Sequence, residues 1–253
     1  MSGLISRRAL VGGAAAGAGL LLSGCDKLAQ NQSFREILFS ADNVHRWTQQ
    51  ALSNRNSLAK EFRPDQMSPV FRANGTLNPG TPDYTAMVAE KFANWKLKVT
   101  GLVNRPLDLS LAQLQSMPAR TQITRHDCVE GWSAIGKWHG PTLGSILKAA
   151  GMKDNARWVI FHCADIYRGH NYYESVDLFD AFHPQTILAW QMNDKLVTVP
   201  HGAPIRLRAE RLLGYKQAKY VMGVEAVASL DGIGLGKGGY WEDHVDYDTY
   251  AGI

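Results

Sequence analysis

From residue 95 onward, the chain consists of short segments with strand-like patterns separated by turn residues, and this pattern limits the possible folds most strongly. Trp95, Leu97 and Val99 alternate with polar residues, which is typical of a half-buried strand. The apolar run at 157–163 predicts a strand that is buried on both faces. Further strands are predicted at 121–128, 187–192, 205–209 and 220–228.

The predicted helices are few and short. Residues 110–113 have the form of a capping box, which predicts the start of a short helix. A second helix is predicted at 142–150 with Gly151 as its end, and a third at 175–182. Because residues 95–253 contain neither a repeat nor a linker, we predict one α+β domain with mixed, antiparallel-rich sheets.

The region before this domain is polar and irregular. Residues 26–40 suggest a tether, and residues 41–94 mix Asn, Gln, Pro and Arg without a sustained period, which suggests an irregular wrap. A tight turn is also predicted further along, at Asn193-Asp194. We place the tether and wrap at 25–67 and the main domain at 68–253.

The N-terminus predicts an exported protein. Arg7 and Arg8 precede sixteen mostly apolar or small residues, fewer than the ~20 that a membrane-spanning helix needs. Residues 1–24 therefore indicate a signal peptide of the twin-arginine type, a route that carries folded proteins, often with a cofactor. Residues 22–25 resemble a bacterial lipobox. We expect a lipid on Cys25 that anchors the chain at the periplasmic face of a membrane.

Charge and cysteine content limit the partners. The formal net charge is only +4, which does not indicate a nucleic-acid-binding protein. Besides Cys25, the chain contains Cys128 and Cys163. An exported protein normally tolerates disulfides, so these two cysteines could form a bridge.

Cys128 lies in the segment RHDCVEGWS at 125–133. If the strand stays extended here, His126, Cys128 and Glu130 point to the same side. Three kinds of site remain open: a cysteine nucleophile with a base, a zinc or copper site, or a metal bound by one thiolate and by ligands from outside the protein. A structural zinc site would normally have its ligands in close pairs, which this chain does not show.

Basic residues follow in two glycine-containing segments. His201 and Arg206 belong to HGAPIR, and Lys219 ends GYKQAK. Arginine can bind a phosphate through two parallel hydrogen bonds, and lysine adds a point charge. These residues therefore predict an anion-binding site.

The chain resembles the sulfite oxidase family of molybdenum enzymes, in the exported bacterial branch that includes a methionine sulfoxide reductase. The resemblance covers about residues 68–253. The motifs that carry it are Arg125-x-x-Cys128-Val-Glu-Gly-Trp-Ser133, Trp138-His-Gly-Pro141, His201-Gly-Ala-Pro-Ile-Arg206, Gly214-Tyr-Lys-x-x-Lys219 and Gly239-Tyr-Trp-Glu242.

This resemblance implies a cofactor and its ligands. Cys128 matches the thiolate that binds molybdenum, with one pyranopterin dithiolene as the other sulfur donor. His201 and Arg206 match residues that hold the pterin and its phosphate. The other cofactor contacts that the resemblance implies are Asn74, Cys163, Gln217, Ala218 and Lys219.

The reaction implied is the transfer of an oxygen atom to or from a small S- or N-oxide. Arg125 and Glu130 could hold the substrate or move a proton, and Arg168 and Tyr173 are further candidates for the substrate pocket. Electrons would pass singly to or from a redox partner, either a haem-containing membrane subunit or a cytochrome.

The direction of transfer stays open, because two hints disagree. The chain lacks room for the extra dimerisation domain of the family's oxidases, which favours a reductase, whereas His201 matches the oxidases. A different class of protein is also open: a lipid-anchored protein that binds zinc or copper on His126, Cys128 and His201 without turnover.

Overall fold

The computed structural model describes residues 57–245 and 247–252, together with residues 31–34, 37, 44, 47, 48 and 51. The predicted signal peptide and Cys25 lie outside the described residues. Contacts divide the chain into two units, Met1–Ser53 and Asn54–Ile253, and every feature below belongs to the second. The boundaries at residues 24 and 67 stay predictions.

The second unit is rich in short strands. Its described residues form β1 (Lys96–Gly101), β2 (Leu107–Ser110), β3 (Ala119–Cys128), β4 (Trp132–Pro141), β5 (Trp158–Tyr167), β6 (His170–Asp177), β7 (Ile187–Ala189), β8 (Gln191–Met192), β9 (Lys195–Leu196), β10 (Arg206–Arg208) and β11 (Val221–Val227).

The helices are short. They are α1 (Pro82–Ala89), α2 (Leu111–Ser116), α3 (Leu143–Ala150), α4 (Leu178–Ala181) and α5 (Tyr240–Val245). Single 3₁₀ turns form at Pro64–Gln66, Val199–His201 and Gly214–Lys216. The predicted capping box begins α2, since Ser110 Oγ accepts from the Gln113 amide at 3.2 Å.

Three sheets result. The largest has the order β2-β1-β11-β5-β6, in which β1 and β11 are parallel and every other neighbouring pair is antiparallel. Strands β3, β4, β8 and β9 form a second, antiparallel sheet, and β7 pairs with β10 in a third. The predicted α+β class with mixed, antiparallel-rich sheets is confirmed.

The main core lies between the largest sheet and α3. Ile146 and Leu147 of α3 are fully buried in the same apolar cluster as Val99 and Phe161 of the sheet. Burial of each such side chain stabilises the folded state by roughly 1.5–3 kcal/mol. Helix α3 ends at Gly151, whose φ of +67° is the left-handed conformation that glycine adopts without strain.

One predicted helix is only half as long as expected. Residues 175–182 were expected to be helical, but Ser175 and Asp177 belong to β6, and α4 covers only Leu178–Ala181. Strand β6 pairs with β5 along most of its length, so tertiary pairing outweighs the local helical preference. The sequence patterns also gave no indication of β4, which pairs with all of β3.

Within the residues that the structure describes, no helix has both the length and the apolar character needed to cross a membrane.

Candidate active site

A pocket of about 370 Å³ opens beside the end of β3, within the size range of small-molecule and cofactor sites. Five parts of the chain line it: residues 71–76, the hairpin end at 126–132, strands β5 and β6, the segment from Pro200 to Lys219 that includes the start of β10, and Trp241 with Tyr247 near the C-terminus. These parts are far apart in sequence, so the pocket exists only in the folded domain.

Cys128 is the last residue of β3 and lines this pocket. A tight turn follows, in which the Gly131 amide donates to the Cys128 carbonyl at 3.0 Å and Gly131 has φ +83°. The half-buried Cys128 Sγ accepts a hydrogen bond from Asn74 Nδ2 at 3.3 Å. The hairpin thus presents one accessible thiol at a fixed position.

His126 also lines the pocket but is not arranged as a base for this thiol. Its Nδ1 lies 3.0 Å from Nη1 of Arg208, and a guanidinium can only donate, so Nδ1 is the acceptor. Burial and the charges of Arg208 and Arg206 hold the pKa of His126 well below its usual range. Because His126 is neutral and its Nδ1 already accepts a hydrogen bond, the site does not support a cysteine nucleophile with His126 as its base.

Lys219 fixes one wall of the pocket. Its ammonium group donates to the carbonyl oxygens of Asn74 at 2.7 Å, Pro200 at 3.0 Å and Thr76. Burial and the charge of Arg206 lower the pKa of Lys219 to about 7, whereas Asp165 favours the ammonium form. Because all three N–H donors are used, Lys219 holds the segment that carries Asn74 against the pocket.

Arg206 supplies a buried positive charge at the pocket. Nη1 donates to the His201 carbonyl at 3.1 Å, and Nη2 donates to the Gln217 carbonyl at 3.2 Å. Burial and the charge of Arg208 lower the pKa of Arg206 to about 9. Its Nε is buried and has no hydrogen-bond partner among the described residues. A buried cation with a free donor favours a bound anion.

Only some of the other predicted cofactor residues line the pocket. Gln217 lines the pocket, and Ala218 is buried behind it. His201 is not among the residues that line the pocket; its ring contacts the Phe71 ring edge-on, and its Nε2 is 3.1 Å from the Phe71 carbonyl oxygen. Cys163 is packed against the main core, and burial raises the pKa of its thiol well above the usual range.

Three predicted substrate residues lie outside the pocket lining, whereas Glu130 belongs to it. Arg125 is exposed and pairs with Asp127 at 2.9 Å. Arg168 is exposed above the Tyr167 ring in the turn after β5. The Tyr173 hydroxyl donates to Asp243 Oδ2 at 2.6 Å, because alternation along β6 turns Tyr173 away from the pocket.

The structure instead brings an aromatic wall to the pocket that the sequence patterns did not indicate. Its members are Phe71, Trp132, Tyr167, Tyr172, Tyr215, Trp241 and Tyr247. The adjacent Asp165 is buried, and burial raises its pKa. A carboxyl group inside the apolar, β-rich strand β5 was the one available sequence signal for Asp165.

A metal site made of protein ligands alone is not formed. In the part of the chain that the structure describes, no three His, Cys, Asp or Glu side chains lie close enough to hold a metal ion. Cys128 and Cys163 are both free thiols, so the disulfide is absent.

The donor set fits the implied molybdenum cofactor. One pocket-facing thiol, without a cluster of three potential ligand side chains among the described residues, suits a metal whose other sulfur donors come from an organic group. The free Nε of Arg206 suits a phosphate.

Comparison with known proteins agrees with this fit. The family model described as an oxidoreductase molybdopterin binding domain matches residues 84–230. A protein of Azospira oryzae, provisionally named protein-methionine-sulfoxide reductase subunit YedZ1, is 33% identical over 232 residues, which are 92% of this chain and 82% of that protein.

Two further matches cover smaller parts of this chain and of the matched proteins. The protein-methionine-sulfoxide reductase catalytic subunit MsrP of Xanthomonas campestris is 34% identical over 151 residues, or 55% of this chain and 47% of MsrP. The chain therefore matches about half the length of that relative. The sulfane dehydrogenase SoxCD of Paracoccus pantotrophus aligns with a TM-score of 0.50 at 21% identity, over 54% of this chain and 39% of that chain, which supports the fold.

Proposed function

The chain belongs to the family of oxidoreductases with a molybdopterin-binding domain, and we propose that it reduces a neutral sulfoxide to a sulfide. The electrons would come one at a time from a haem-containing membrane subunit or a cytochrome. Relatives named as protein-methionine-sulfoxide reductases support this choice of substrate class.

We assign the cofactor to the pocket beside Cys128. Cys128 would supply the thiolate ligand, Asn74 would hydrogen-bond that sulfur, and Arg206 would bind the cofactor phosphate through its free Nε. When bound, the molybdenum–pterin group supplies a two-electron centre that can accept an oxygen atom. The protein's share is to hold this group, exclude water and orient the substrate.

The observation that carries the direction of the reaction is the composition of the pocket wall. Glu130 lies two residues from Cys128 and lines the same pocket, so a carboxylate stands where an anionic substrate would approach. Of the nearby cations, Lys219 uses its donors on backbone carbonyls, and Arg206 keeps only its Nε free, which we assign to the cofactor phosphate. Sulfite is an anion and would be repelled by Glu130, whereas a sulfoxide is neutral.

The aromatic wall supports the same conclusion. Rings such as those of Tyr167, Tyr215 and Trp241 offer apolar contact to the alkyl groups of a sulfoxide and favourable contacts to the sulfur of the sulfide product. The indole and phenol groups also exclude water from the pocket.

Steady-state assays test this proposal. Purified protein with a reduced artificial electron carrier should reduce methionine sulfoxide and dimethyl sulfoxide, and with an oxidised carrier the same preparation should oxidise sulfite at least about a hundredfold more slowly. The Cys128→Ser variant is the control for non-enzymatic reduction. Faster sulfite oxidation than sulfoxide reduction would reverse the assigned direction.

A second test concerns the acidic residue. Glu130→Gln removes the negative charge with little change of shape, so sulfite should then bind more tightly, with an inhibition constant lowered about tenfold. An unchanged constant would show that Glu130 does not exclude anions.

We further propose that the chain is exported and anchored through a lipid on Cys25. The support is the twin-arginine and lipobox-like sequence before Cys25. Labelled palmitate should be incorporated by the wild type and not by Cys25→Ala, and fractionation should move that variant from the membrane to the soluble periplasmic fraction.

A further inference from the structure

A cluster of three charged side chains is buried next to the pocket. Lys216, Glu174 and Glu242 have at most 1% of their side-chain surface exposed. The ammonium group of Lys216 lies 2.8 Å from Glu174 Oε2 and also pairs with Glu242 Oε1. We call these residues the Glu174–Lys216–Glu242 cluster.

The cluster contains two carboxyl groups and one cation. The Oε2 atoms of Glu174 and Glu242 both lie against Gly239, so close that the Cβ of any other residue at this position would collide with each of them. Two carboxylates this close in an apolar interior repel each other, so one of them retains a proton. Burial, with a contribution from Glu242, holds the pKa of Glu174 well above its usual range.

Among the described residues, Lys216 is the cation that pairs with these carboxylates, while the charge of Arg206 acts on Tyr172 from the pocket side. Cys163 and Asp165 of β5, Tyr172 and Tyr173 of β6, and Tyr215 of the Gly214–Lys216 turn all feel the negative charges of the cluster or add to them. Asp243 of α5 is the other acid on this side, and Tyr173 donates to it. Lys216 is therefore the cation that balances one carboxylate, and a proton must neutralise the second.

Tyr172 connects the cluster to the pocket. Its hydroxyl lies 3.4 Å from Glu174 Oε1 and 3.2 Å from the Tyr215 carbonyl oxygen. Tyr172 and Glu174 share one face of β6, and Tyr172 itself lines the pocket. A hydroxyl in this position can accept a proton on one side while it gives one on the other.

We propose that the Glu174–Lys216–Glu242 cluster stores a proton and delivers it to the pocket through the Tyr172 hydroxyl. This proposal rests on the proposed sulfoxide reduction, which consumes two protons and two electrons per sulfoxide and yields one sulfide and one water. The redox partner supplies both electrons, one at a time. The cluster supplies one proton, and solvent at the pocket opening supplies the other.

The transfer is balanced at each residue. The O–H bond of the protonated carboxyl breaks as a new O–H bond forms on Tyr172, while Tyr172 gives its original proton to the oxygen that leaves the sulfoxide as water. The cluster is left with one extra negative charge in a buried site, which draws a proton back from solvent before the next turnover. Glu174, Glu242 and Lys216 thus act through Tyr172 and are positioning residues.

The Tyr172→Phe variant distinguishes the proposed relay from a purely structural role of the cluster. Tyr172→Phe removes the connecting hydroxyl and leaves all three charges in place. We expect this variant to keep its molybdenum content, to lose at least tenfold in kcat above neutral pH with little change in KM, and to regain activity at lower pH. Its solvent deuterium isotope effect on kcat should rise, because proton delivery becomes rate-limiting.

Tyr173→Phe is the matched control. It removes the adjacent buried hydroxyl, which donates to Asp243 outside the pocket, so its pH profile should be that of the wild type. If Tyr172→Phe and Tyr173→Phe show the same pH profile and the same isotope effect, the proposed relay is wrong.

The stored proton can be detected without any substrate. Infrared spectra of the folded protein near neutral pH should contain a carboxylic acid C=O band that Glu174→Gln removes. An identical band in the wild type and the variant, or no band in the wild type, would overturn the proton store even if sulfoxide reduction is observed. If the band is present but the wild type does not reduce sulfoxides, the proposed function is refuted and the proton store is not.

Discussion

The side-chain amide of Asn74 donates a hydrogen bond to Cys128 Sγ across 3.3 Å and so connects two segments that lie 54 residues apart. Lys219 holds the carbonyl oxygen of the same asparagine at 2.7 Å. The irregular segment before the main sheet is therefore part of the site, because it carries a hydrogen-bond donor to the sulfur.

Asn74→Ala should lower the reduction potential of the bound metal. A hydrogen bond to a thiolate stabilises its negative charge, and bonds to charged groups contribute about 1.5–3 kcal/mol. A change of about 1.4 kcal/mol corresponds to roughly 60 mV for a one-electron step, so a shift of tens of millivolts is expected. Redox titration monitored by electron paramagnetic resonance measures it. Asn78→Ala, outside the pocket, is the control, and equal potentials in the two variants would contradict the assignment.

Arg206→Met should reduce cofactor retention while the fold persists. Methionine keeps much of the volume but removes the charge and the free Nε, so the cofactor phosphate loses about 1.5–3 kcal/mol of charge-assisted hydrogen bonding. Molybdenum content after dialysis should fall at least about tenfold. The exposed Arg105→Met variant should retain its molybdenum. Full occupancy in Arg206→Met would show that the phosphate binds elsewhere.

Lys219→Met should loosen the segment that carries Asn74. Three carbonyl oxygens would lose their donor, and each unsatisfied, partly buried carbonyl costs about 1–3 kcal/mol. Hydrogen–deuterium exchange should speed up at residues 71–76 relative to the wild type. Lys148→Met, on the exposed face of α3, should leave this exchange unchanged. Unchanged protection at 71–76 in Lys219→Met would contradict the holding role.

His183 should make the domain less stable in mild acid. Its Nε2 lies 3.0 Å from the Ser57 carbonyl oxygen, and burial and the charge of Arg211 lower its pKa to about 4. Between pH 6.5 and 4 the unfolded chain binds a proton that the folded chain does not, so the free energy of unfolding falls as the pH falls. The loss is at most about 3 kcal/mol.

Denaturant titrations at several pH values test this dependence. His183→Gln removes the titrating group, so its free energy of unfolding should vary less between pH 6.5 and 4 than that of the wild type. Parallel curves for the two proteins would show that other groups cause the acid sensitivity.

Local features of the fold could be predicted from the sequence. The capping box before α2, the glycine that ends α3 and the Asn193-Asp194 turn between β8 and β9 each depend on a few neighbouring residues. The alternation along β3 also correctly brought His126 and Cys128 to one pocket. Glu130 lines the same pocket, but it lies in the turn after β3, so the predicted extended strand is not what places it there.

Features that depend on long-range pairing could not be predicted. The choice between Tyr172 and Tyr173 for the pocket depends on how β6 is placed against β5, because a shift of one residue exchanges the two faces. The pairing of Lys216 with Glu174 and Glu242 joins residues that no local pattern relates. For the same reason, Lys219 was predicted to bind phosphate, whereas its ammonium group donates to three backbone carbonyls.

The central claim is that the Cys128 sulfur binds molybdenum together with the sulfur donors of a pterin. X-ray absorption at the molybdenum edge, on wild type and Cys128→Ser purified in parallel, tests it most directly. The account predicts molybdenum with sulfur neighbours in the wild type and one sulfur neighbour fewer in the variant. Wild-type protein without molybdenum, or the same number of sulfur neighbours in both proteins, would contradict it.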